Sequence, residues 1–215
     1  MALVELLHVM GDDLMVVNAA RVSFAKEATE FKDQDGKLIR YLAKHSHVSP
    51  FFHPQIQFRI RMPIFVAREW YRHQIGFSRN EVSRRYVDTT PECWVPVESD
   101  LRQRDPKAKQ GSRPTAIENA EVVREWIHAH TDDSISLYER LLEQGVAPEI
   151  ARTILPQSMY TEFIETGSLA AYARLYALRT SPDAQREIQK YAGMIGEEIA
   201  KRFPVSWSAL TSSSV

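Results

Sequence analysis

The chain has 215 residues, 44% of them hydrophobic and 26% charged, with a formal net charge of −1. This length and balance fit one globular domain, residues 1–215, with enough mass for a core. They exclude a protein that grips long polyanions through global charge, and no apolar run approaches the ~20 residues that span a bilayer.

Val4 to Met10 reads as a first or edge strand. Asp13 is placed to cap a helix through Leu14, Val17 and Ala20. KEATEFKDQDG is expected to be an exposed connection, and Lys37–Lys44 a helix carrying Leu38, Ile39, Tyr41 and Leu42. Two prolines in HSHVSPFFHP argue against regular structure there. Gln55–Met62 alternates strictly, with Ile56, Phe58, Ile60 and Met62 on one face, and is the clearest strand. Pro63 fits the first turn of the next helix, through Tyr71.

Tyr86–Val97 is expected to hold one or two short extended pieces, and 102–114 to be polar and mobile. Ala116–Gln144 is a helix stopped by Gly145. Pro148 opens a short helix ended by Pro156, SMYTEFIET is a second strand, and Leu169–Leu178 is a helix. Ser181-Pro182 opens the last helix, running to about Phe203. The sum is an α+β fold: one helix-rich domain with a small central sheet.

One stretch concentrates chemistry. Arg72–Tyr86, RHQIGFSRNEVSRRY, holds Arg72, Arg79, Arg84 and Arg85 with His73, Ser78 and Ser83. Planar guanidiniums and hydroxyls at this density suit phosphate groups, with a solvated charged loop as the alternative. Seven arginines between Arg59 and Arg85 face Glu69 and Glu81, a local excess of five positive charges. A nearly neutral chain with one basic segment points to a compact anion. His45, His47 and His53 tempt a metal reading, but no acidic or thiolate ligand lies close by, so no metal is expected. Cys93 stands alone, which permits no internal disulfide and no cysteine metal cluster. With an N-terminus that lacks a signal-peptide pattern, it suggests a cytoplasmic protein. No GxGxxG occurs, which excludes a Rossmann-type dinucleotide site.

RHQ…NEVSRRY resembles the signature of the flavin-dependent thymidylate synthases, an Arg-His-Arg followed by seven residues and a serine. The resemblance continues in family order through VMGDDLMVVNAARVSF, KHSHVSPFFH, MPIFVAREWYRH, ARTILP and the LR of YALRTSPDAQREIQ, from about Val4 to Phe203. It implies a homotetramer with shared active sites. The activity implied is methylation of dUMP to dTMP, with 5,10-methylenetetrahydrofolate as one-carbon donor, FAD as the hydride-passing cofactor and NADPH as reductant. Residue by residue, it implies that Ser83, Arg84 and Arg85, with Arg152 from a neighbouring subunit, hold the nucleotide phosphate. Arg179 corresponds to a cation beside the pyrimidine, and Glu69 and Arg72 to further dUMP contacts. Ser23, Ser49, Arg72, His73, Gln74, Glu81, Ser168 and Arg174 correspond to FAD contacts, and His47 to a histidine near the exposed flavin face.

The pattern departs from the family in places. Gln74 replaces the second signature Arg, and eight residues rather than seven separate it from Ser83. Glu69 stands where Gln is usual, and Ser168, Ala170 and Arg174 replace Asn, Arg and Asn. A folate-only thymidylate synthase needs an activated cysteine nucleophile, whereas Cys93 in PECWV has no basic motif around it. The residues also permit two other readings. One is an RNA-binding module that stacks bases on Tyr71, Phe77 and Tyr86, which the neutral net charge opposes. The other is a flavin- or nucleotide-binding relic without turnover.

Overall fold

A computed structural model of the protein describes residues 3–87, 89–107 and 111–212. The elements are β1 (Leu3–Met10), α1 (Asp13–Arg21), α2 (Asp33–Lys44), β2 (Gln55–Pro63), α3 (Ile64–Trp70), β3 (Phe77–Glu81), β4 (Arg102–Arg104), β5 (Ser112–Ala116), α4 (Ala120–Glu143), α5 (Pro148–Ala151), β6 (Tyr160–Ser168), α6 (Leu169–Arg179), α7 (Arg186–Arg202) and α8 (Pro204–Thr211). A four-stranded antiparallel sheet has the order β1-β2-β6-β3. The α+β, helix-rich reading holds. No helix among the described residues is long and apolar enough to cross a membrane. The chain divides into two compact units, one made of Leu3–Ile60, Trp70–Asn80 and the residues from Ile164 on, the other of Arg61–Glu69 and Glu81–Phe163.

In the first unit, β2 forms because its apolar residues recur at period two. Ile56, Phe58 and Ile60 are at most 1% exposed, while the alternate positions keep partial access to solvent. β6 follows the same alternation, with Glu165 in its buried phase. α6 presents Leu169, Ala170, Ala171, Tyr172, Ala173 and Leu175 to the core, so small residues let neighbouring elements approach closely. Tyr172 packs edge-on against Phe58 at 5.5 Å and Phe77 at 4.9 Å between ring centres.

Several expectations are corrected here. Asp12, not Asp13, caps α1 by accepting from the Met15 N–H at 3.0 Å. Asp13 is buried and accepts from the Val205 and Ser206 N–H groups, each at 2.9 Å, so it caps a helix at the far end of the chain. The last four residues of the polar connection, from Asp33 on, are helical. Asp35 is fully buried, accepts from the Lys32 N–H at 2.8 Å and pairs with Arg21, which lets α2 begin at Asp33. Ser49–Phe52 makes a 3-10 turn with Pro50 in its first turn, where the missing N–H costs nothing. Ser181-Pro182 opens no helix. Gln189 donates to the Ser181 and Ala184 carbonyls, holding a turn before α7 starts at Arg186. α8 follows as an additional helix, with Pro204 in its first turn.

In the second unit, Pro63 closes β2 and does not open α3, because the Ile64 N–H still donates to the Met159 carbonyl at 2.9 Å. Trp94 and Ser158, and Glu92 and Tyr160, are joined by backbone hydrogen bonds around an isolated Cys93–Met159 bridge. Within 102–114, the described residues belong largely to an antiparallel pair, Arg102 opposite Ala116 and Arg104 opposite Ser112. α4 starts four residues later than expected, at Ala120, and ends before Gly145 at φ +80°.

Candidate active site

The Arg-rich stretch is not a loop throughout, since Phe77–Glu81 is strand β3. Before it, the His73 N–H donates to the Trp70 carbonyl at 3.1 Å and the Phe77 N–H to the Gln74 carbonyl at 3.1 Å, closing a turn at Gly76. Gly76 has φ +83°, and a Cβ there would lie 2.9 Å from the Ala171 Cβ and 3.2 Å from the Ser168 Oγ. Only glycine lets this turn lie so closely on the start of α6. Ser168 is buried, and its Oγ caps α6 by accepting from the Ala171 N–H at 3.2 Å.

Arg79 points inward from β3. Its Nε donates to Glu165, which also accepts from Trp70 Nε1 at 3.1 and 3.2 Å. The guanidinium lies 4.8 Å from the Phe77 ring centre and 5.5 Å from that of Tyr71. Glu165 and Trp70 are fully buried. Burial pushes the Glu165 carboxyl upward, opposed by Arg79 and by the bonds from Arg79 and Trp70. The sequence groups Arg79 with the guanidiniums suited to phosphate, whereas in the structure it donates to Glu165, a partner that the sequence does not assign. Its readable signal is a carboxylate in the buried phase of β6.

At the end of α6, Arg179 Nε donates to His73 Nε2 at 2.8 Å. His73 is half-buried, and its pKa is lowered to about 4, first by burial and then by Arg179, Arg79, Arg174 and Arg72. It is therefore neutral at pH 7. Arg174 Nη2 donates to the Ile75 carbonyl at 2.8 Å, and its guanidinium lies 5.7 Å from the Phe52 ring, in the same turn as Ser49. Arg72 and Gln74 are exposed, as are Ser23 and Ser49. His47 is exposed with its ring 6.1 Å from Tyr41 and 6.4 Å from His45.

In the other unit, Glu81 accepts from the Thr161 hydroxyl and the Val82 N–H donates to the Glu162 carbonyl at 2.9 Å. The Ser83 Oγ accepts from the Arg85 N–H at 3.3 Å, and Arg84 donates to the Thr89 carbonyl. Arg85 forms an exposed ion pair with Glu149 at 3.6 Å, which brings this turn onto α5, just before Arg152. Glu69 is half-buried on α3. Arg61 is paired with Glu92 at 2.9 Å and lies over the Tyr160 ring. Burial pushes the half-buried Cys93 thiol up, away from the thiolate a nucleophile needs. Among the described residues, no three His, Cys, Asp or Glu side chains are grouped to hold a metal ion.

The sequence model of one family, thymidylate synthase complementing protein, matches residues 5–205. A flavin-dependent thymidylate synthase of Thermus thermophilus is 38% identical over 206 residues, covering 96% of this chain and 74% of its own. One from Kosmotoga olearia is 40% identical over 208 residues, covering 96% and 88%. Among solved structures, a UMP/dUMP methylase PolB from Streptomyces cacaoi bound with 5-Br dUMP superposes with a TM-score of 0.88 at 34% identity, covering 99% of this chain and 95% of that one. The same enzyme bound with 5-Br UMP gives 0.87 at 33%. With a family match through nearly the whole chain and relatives near 40% identity, the chain belongs to the flavin-dependent thymidylate synthases.

Proposed function

We propose that the protein methylates dUMP to dTMP, taking the carbon from methylenetetrahydrofolate and the reducing equivalents from NADPH through FAD. The observation that carries this reading is the gathering of Arg72, Arg79, Arg174 and Arg179 around one neutral histidine on the signature stretch of a chain matching the family from 5 to 205. Arg72 and Arg174, the two of these not committed to Glu165 or to the pyrimidine, suit the flavin's pyrophosphate, because guanidinium forks meet phosphate oxygens two at a time. Arg72, His73, Gln74, Ser168 and Arg174, with Ser23, Ser49 and Glu81, would hold the FAD. Bound and reduced, it supplies the hydride that turns the transferred carbon into a methyl group.

The remaining work belongs to side chains. Ser83, Arg84, Arg85 and Arg152 hold the nucleotide phosphate, and Glu69 and Arg72 complete the dUMP contacts. The Arg179 guanidinium stabilises enolate charge as it develops on the pyrimidine carbonyl. His47 offers an exposed ring to the folate and nicotinamide. No cysteine nucleophile is used, in keeping with the raised Cys93 thiol. The protein works in the cytoplasm as a homotetramer with shared active sites. Exposed Val22 and Phe24, which flank Ser23, support assembly of copies. The family match runs through both units, which supports one synthase domain.

The test is the visible spectrum of the protein reconstituted with FAD. The expected outcome is flavin absorbance that NADPH bleaches and dUMP perturbs, with dTMP formed once the folate is added. Failure to take up FAD would sink the proposal. The solved neighbour is described as a UMP/dUMP methylase and was bound with analogues of both nucleotides. UMP therefore belongs in the same assay as a second substrate, scored by formation of the 5-methylated ribonucleotide.

A further inference from the structure

We infer that His73 is a positioning residue, whose Nε2 lone pair holds the Arg179 guanidinium in place while its proton sits on Nδ1. The inference rests on the proposed role of Arg179 beside the pyrimidine.

The geometry leaves one arrangement. Arg179 Nε is a donor, so His73 Nε2, 2.8 Å away, must accept. A neutral imidazole that accepts through Nε2 carries its hydrogen on Nδ1. Arg179 is the last residue of α6, where the helix no longer constrains it through following turns. His73 is fixed from the other side, its N–H bonded to the Trp70 carbonyl and the chain after it held at Gly76 against Ala171. The ring thus transfers the rigidity of the buried Trp70 end of α3 to a long cationic side chain. An imidazolium could not do this, because it has no lone pair, and Arg72, Arg79, Arg174 and Arg179 all oppose its formation. A carboxylate in its place would also accept, but it would cancel the positive charge that the site needs. A neutral acceptor holds the guanidinium without neutralising it.

The first measurement uses the flavin-free full chain labelled with 15N-histidine, His73 being identified by the signal lost in His73→Gln. Between about pH 5.5 and 8, where an ordinary histidine titrates, the expected result is one neutral form with bare Nε2. In Arg179→Ala, part of the proton population should move to Nε2. A wild-type proton on Nε2, or a tautomer unchanged in Arg179→Ala, would overturn the inference.

The second measurement is dTMP formation. His73→Gln sets an amide oxygen where Nε2 accepts, whereas the shorter His73→Asn does not reach that position. Assayed at saturating FAD, so that any loss of flavin affinity is separated from the rate, the Gln variant should lose up to about 10-fold and the Asn variant about 100-fold, near Arg179→Lys, as expected for one lost charge-assisted bond. Equal losses in the Gln and Asn variants would also overturn it. If the wild type forms no dTMP, the proposed activity fails, and the tautomer measurement still decides the geometry.

Discussion

Removing the Glu165 carboxylate tests the buried network most sharply. Glu165→Ala leaves the Arg79 guanidinium, 14% exposed, without its counter-charge, and Trp70 Nε1 without an acceptor. Breaking a buried pair from one side costs about 3–5 kcal/mol. In a chain of this length, each kcal/mol moves Tm by roughly 2–4 °C, so Tm should fall by roughly 6–20 °C. Glu165→Gln, which keeps the shape and removes only the charge, should fall between the Ala variant and the wild type. The double variant Arg79→Met/Glu165→Leu should regain most of the loss, since it buries no charge. The assay is thermal unfolding by circular dichroism at pH 7, with urea titration at 25 °C as the second reading. A loss below about 1 kcal/mol in Glu165→Ala, or a double variant no more stable than the single, would refute the reasoning.

Acid should destabilise the fold through His73. Its folded pKa of about 4 lies below the ordinary 6.5, so the unfolded chain binds more protons between those values. The contribution is present above about pH 6.5, declines as pH falls toward 4 and is gone below it. The full shift is equivalent to roughly 3 kcal/mol, and solvent screening at a half-buried ring reduces it to about 1–2 kcal/mol. Stability measured from pH 8 to 4 should lose this slope in His73→Gln; an unchanged slope contradicts the assignment. Arg179→Ala should keep flavin while methylation falls by about two to three orders of magnitude, and wild-type turnover would remove Arg179 from the chemistry. Ser83→Ala should weaken dUMP binding about 10-fold, the loss of one hydrogen bond near 1.4 kcal/mol, with turnover still measurable at saturating dUMP. Complete loss of chemistry with intact dUMP affinity would make Ser83 a nucleophile instead.

β2 was legible because four apolar residues at period two fit only one face of a sheet. β3 was not, since FSRNE has a single large apolar residue and becomes a strand through pairing with β6. Asp12 and Asp13 look equivalent in sequence. Which of them caps α1 depends on where α8 arrives, 192 residues away from Asp13 in the chain. α8 itself, PVSWSALT, is too short to show a period. In the candidate site, Arg72, His73 and Arg179 were readable from motif order, but the bond between His73 and Arg179 spans 106 residues. Arg79 was visible as one arginine among many. That it turns inward to a carboxylate on another strand is a consequence of register, which no local pattern encodes.

The central claim is flavin-dependent methylation of dUMP. Its most direct measurement uses dUMP tritiated at C5, incubated with the protein, FAD, NADPH and methylenetetrahydrofolate. Methylation must expel the C5 hydrogen, so tritium should be released to water in step with dTMP formed, and neither product should appear when FAD is omitted. Tritium release and dTMP formation at the full rate without flavin, or neither in the complete mixture, would contradict it.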